Sequence, residues 1–70
     1  MPQRTVEAAE AAVAAATDQV VKDGGVIHED SLWDAAEMAL DGASTEIIAK
    51  RIKDAREGER YQPKGRWASR

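Results

Sequence analysis

The residues best equipped for chemistry fall into two groups. His28, Glu29 and Asp30 bring together an imidazole and two carboxylates, the donor types that hold divalent metals. Three consecutive side chains cannot easily face one ion, the chain has a single His and no Cys, and a helix start accounts for the acids. No metal site is expected. The second group is a concentration of cations. Residues 1–49 hold Arg4 and Lys22 against ten acidic residues, a net of −8, while residues 50–70 hold eight basic residues against Asp54, Glu57 and Glu59, a net of +5. So steep an asymmetry in a chain whose total is −3 implies a cationic surface at one end.

Catalysis finds no foothold. There is no glycine-rich phosphate loop and no nucleophile–base pair at a recognisable spacing, and 70 residues enclose little space. Neither an enzyme nor a cofactor is expected. That length allows one small domain, residues 1–70, without room for a second core. Fourteen alanines and no Phe leave the core thin, so self-association or a bound partner is a reasonable expectation. No run is apolar enough to span a membrane and no signal peptide is visible, so the sequence reads as soluble and cytoplasmic.

Three helices must position these groups. Thr5 can cap a helix over about 5–22, with Val6, Ala9, Val13, Ala16 and Val20 on one stripe and Gly24-Gly25 as its stop. That stripe suits the core more than a dimer contact. Asp30 or Ser31 can cap a second helix over 31–41, with Leu32, Ala36, Ala39 and Leu40 inward and Trp33 on the flank, preferably buried. Ser44 or Thr45 can cap a third over 44–57, its stripe formed by Ile47, Ile48, Ile52 and Ala55 and its Lys50, Lys53 and Asp54 outward. Arg51 lies close to that stripe, where it must snorkel or pair with an acid from an earlier helix. Residues 1–4 read as frayed. Val26-Ile27 could pair as a short strand with a hairpin at 59–68, Arg60-Tyr61-Gln62 and Arg66-Trp67-Ala68 flanking Pro63-Lys64-Gly65.

The fold class is therefore mainly α, a three-helix core with a small β-hairpin. Ala35-Ala36, Gly42 in the turn, and Ile47-Ile48 with Ile52 resemble a helix-turn-helix. With the leading helix and the hairpin, the order of elements is similar to a winged helix-turn-helix, and its last portion resembles small excisionase-like domains. That resemblance implies a regulatory or architectural protein on duplex DNA, with the third helix in the major groove. Ser44, Thr45, Lys50 and Lys53 would then approach bases and phosphates, and Lys64 and Arg66 on the wing the neighbouring backbone or minor groove. Acidic Glu46 and Asp54 on the same face depart from the pattern.

A rival class fits the other half of the chain. Its acidic front could serve a phage- or plasmid-type inhibitor or adaptor that docks on a larger protein. Val6, Val13, Val20 and Trp33 are the candidate interface residues for that partner or for a homodimer.

Overall fold

The computed structural model describes residues 3–60, and all regular structure in that range is helical. Helix α1 runs Val6–Lys22, α2 Glu29–Leu40 and α3 Thr45–Lys53. Local chemistry sets each boundary. Thr5 stays extended and its hydroxyl accepts the Ala8 N–H at 3.1 Å, starting α1. The helix stops in a Schellman turn: the Gly25 N–H reaches the Val20 carbonyl at 2.9 Å and the Gly24 N–H reaches Val21 at 3.0 Å. Gly24 adopts φ +80°, and a Cβ on Gly25 would stand 2.7 Å from Val20 Cγ1, so the pair serves two different needs. Gly42, at φ +96°, ends α2 with the same pattern, the Ala43 N–H bonding Met38 at 3.0 Å. Ser44 Oγ then accepts the Ile47 N–H at 3.3 Å and starts α3.

Several expectations need correction. α2 begins at Glu29, two residues early, and its N-cap position is His28, which makes no side-chain cap bond. Ser31 is buried, and its hydroxyl donates to the His28 carbonyl at 2.6 Å, so this side chain back-bonds within the first turn and cannot cap. α3 ends at Lys53 with Asp54 as its C-cap, because Ala55 onward turns away and Gly58 falls in a separate tight turn closed by Glu59 N–H to Arg56 at 3.1 Å. Val26 and Ile27 form no strand; Ile27 leans on the core while Val26 is exposed. The expected hairpin lies outside the described residues except for its first two, which are not strand. Arg4 is tied down, not frayed: its N–H bonds the Leu40 carbonyl at 3.2 Å and its guanidinium the Ala39 carbonyl at 2.9 Å. A cation thus sits on the last carbonyls at the negative end of α2.

The core is an alanine seam. Ala9, Ala12 and Ala16 of α1 meet Ala35 and Ala39 of α2, with Ala43 and Ala49 completing the contact; only Val20, Ile48 and Ile52 are larger. Small side chains let helices approach closely, so little volume needs filling. The consequence is an inversion of the usual arrangement. Larger apolar residues do not fit the seam and are displaced to its margins: Val13, Leu32, Met38 and Leu40 are only partly buried, Val6 is 66% exposed and Trp33 60%. Trp33 is therefore a surface residue, against expectation. Ile47 is likewise 48% exposed, whereas Ala49 is buried. Ala35 and Ala39 are the buried alanines of α2, while Ala36 is only partly buried. Among the described residues, no helix is long and apolar enough to cross a membrane.

Candidate functional site

Two outward faces compete for a functional role. The first is the exposed side of α3. Ser44 commits its hydroxyl to the helix cap, and Ser44 and Thr45 are both half-buried. Lys50 lies 3.3 Å from Asp54 one turn on, and Lys53 lies 3.8 Å from Asp23 at the end of α1. These two lysines share a shallow hollow of about 390 Å³ with Glu46, Asp23 and Asp54. Three carboxylates thus surround two ammonium groups, so the field over this face is not cationic. Arg51 points the other way. Its Nε donates to Asp34 at 2.5 Å and its Nη2 donates to Glu59, as a cation near an apolar stripe requires. The Glu59 bond, followed by the Asp34 bond, holds the guanidinium above its ordinary pKa. The same Arg51 contact holds the Glu59 carboxyl below the usual carboxylate value. The remaining cations of the expected DNA-binding set, Lys64 and Arg66, lie outside the described residues.

The second face is the outer junction of α1 and α2. Val6, Val13 and Ala14 on one helix and Leu32, Ala36 and Leu40 on the other line an apolar groove of about 420 Å³, with Glu10 in its wall. Leu32 and Ala36 also line an adjoining hollow of about 270 Å³ with Trp33 and Glu29, so the apolar strip continues past the groove. Three of the four residues expected at an interface, Val6, Val13 and Trp33, border this strip. The fourth, Val20, is 1% exposed and belongs to the core, where no partner can touch it.

Sequence reading assigned Leu32, Ala36 and Leu40 inward; all three are only partly buried, Leu32 and Leu40 packing against the core, and their remaining surface lines the groove. A signal was present: alanines at three- and four-residue steps in both helices already supply a complete seam, which leaves the bulkier positions beside them outside. Among the described residues, no three His, Asp or Glu side chains gather as a metal-holding group. What the second face can do is bind, by burying apolar surface beside carboxylates. Comparison of the chain with protein-family models, with curated proteins and with solved structures gave no match in any of the three.

Proposed function

We propose that this chain is a small acidic interaction module whose α1–α2 groove receives a cationic, amphipathic segment of a larger protein. The carrying observation is the continuous apolar strip from Val6 to Trp33, edged by Glu10 and Glu29. Residues 3–60 contain seven basic and all thirteen acidic side chains, a net of −6, so the surroundings of the groove favour a positively charged partner. Contiguous exposed apolar surface on so small a body is the mark of an interaction site. A homodimer through this face would bring two acidic bodies together, which disfavours it. An inhibitor or adaptor of a basic, nucleic-acid-handling protein fits the chemistry.

Binding of duplex DNA through α3 and a wing at 59–68 is the competing reading. In its favour, the ion pairs of Lys50 and Lys53 are solvent-facing and would open at little cost. Against it stand Glu46, Asp54 and Asp23 in the same hollow. Titrating isotope-labelled protein with a Leu/Lys amphipathic helical peptide, and separately with a short duplex at low salt, decides between them. The expected result is peptide-induced amide shifts confined to the groove. Ala14→Lys and Val6→Lys should weaken that binding by roughly tenfold, whereas Val26→Lys, equally exposed but outside the groove, should not. Saturable shifts on α3 with duplex, and none with peptide, would overturn the proposal.

A further inference from the structure

The acids of this chain differ in whether their own protein answers them. Asp23, Asp34, Asp54 and Glu59 each meet a lysine or arginine of the same chain. Glu10 and Glu29 do not: both are exposed, and neither enters an ion pair or side-chain hydrogen bond among the described residues. These are the two carboxylates that edge the apolar strip, Glu10 in the groove and Glu29 in the hollow that continues it. Their charge is available to a visitor.

The two stand on different helices and at different levels. The Arg4 N–H on the Leu40 carbonyl at 3.2 Å sets the start of α1 beside the end of α2, so the helices run antiparallel and Val6 and Leu40 mark one end of the groove. From that end Glu10 lies about one turn along α1 and Glu29 about three turns along α2, which separates them by about 10 Å along the groove. An extended visitor would need a sheet edge, and the described residues contain no strand; two helices side by side suit a third. In a helix, five or six residues rise about 8–9 Å and turn about 140–240°, which carries a side chain from one flank of an apolar stripe to the other. Seven residues return it to the same flank. We infer that the groove selects a helix whose apolar stripe is flanked by two cations five or six residues apart, one answering Glu10 and the other Glu29. The inference rests on the groove partner proposed above and adds its register. Glu10 and Glu29 set specificity, while the apolar strip supplies most of the affinity.

Two peptides of identical composition test it on the full chain. Each is a Leu/Ala helix of about four turns carrying two lysines, placed six residues apart across the stripe in one and seven apart on a single flank in the other. Calorimetric titration should give about threefold tighter binding for the first, the worth of one exposed ion pair. Glu10→Gln and Glu29→Gln should each erase that preference. Asp18→Asn, which removes an exposed charge on α1 outside the groove, should keep it. Equal affinities, or a preference that survives either glutamate substitution, would overturn the register, and the groove would stand as long as both peptides shift its amides. Failure of both peptides to shift those amides would remove the groove as a site, and the register with it.

Discussion

The outer faces of α3 and α2 carry charges of opposite formal promise, and each turns out differently from its composition. α3 has three cations in its last turn, yet each is beside a carboxylate. α2 carries both acids and apolar residues, and among the described residues the two carboxylate oxygens of Glu37 are buried without a hydrogen-bond partner. Charge summed along a segment therefore says little about the field above it; what counts is which side chains the fold sets opposite each other. The helix that looks like a reader of polyanions is largely occupied with its own protein. The helix that looks like a mere support lines the apolar groove and the hollow beside it.

The difference can be broken most forcefully through the core. Ile48→Ala or Ile52→Ala should cost about 2–5 kcal/mol, a large share of the stability of a domain this size, because both side chains are fully buried. The neighbouring Ile47→Ala, at a half-exposed position, should cost far less. Chemical denaturation of the three variants checks this, and equal losses would mean that α3 is seated differently. Next in size, Arg51→Ala should destabilise by about 1–2 kcal/mol, chiefly because the shielded Asp34 loses its partner. A midpoint unchanged from the parent would show that α2 and α3 are not coupled through this arginine.

Acid sharpens the contrast further. The Glu59 carboxyl is held below its ordinary pKa, so the stabilisation it contributes is present above the usual glutamate value, about 4.3, and is lost as pH falls through the depressed one. Glu59→Gln should remove that part of the acid response while leaving stability at neutral pH only slightly lower. An acid transition identical in parent and variant would exclude the contact. The smallest effect is expected at Lys50→Ala, whose exposed pair with Asp54 is worth about 0.3–0.5 kcal/mol. A loss several times larger would mean that the outward pairs of α3 are structural after all.

Much of this was legible in the sequence, and the failures share one cause. Thr5 and Ser44 announced their helices because a hydroxyl at an N-cap acts locally, and the glycines ended α1 and α2 because φ above zero is a local demand. Arg51 was expected to snorkel or to pair with an acid from an earlier helix, and it pairs with Asp34. Errors arose where tertiary packing chose between neighbours of similar hydrophobicity: Ile47 against Ile48, Ala36 against Ala35, Trp33 against the alanines beside it. Periodicity ranks residues by apolarity, but a seam this narrow selects for smallness. Ser31 was misread as a cap for a related reason, since burial sent its hydroxyl back to the His28 carbonyl. As for the candidate site, its residue types were visible and its orientation was not.

The grip of Arg4 on the last carbonyls of α2 has a practical corollary for anyone handling this protein. A purification tag or fluorescent fusion placed directly before it would lean on the far end of the second helix, not on a loose thread. Fusions joined there will need a generous spacer, or their measured behaviour will report the attachment as much as the molecule.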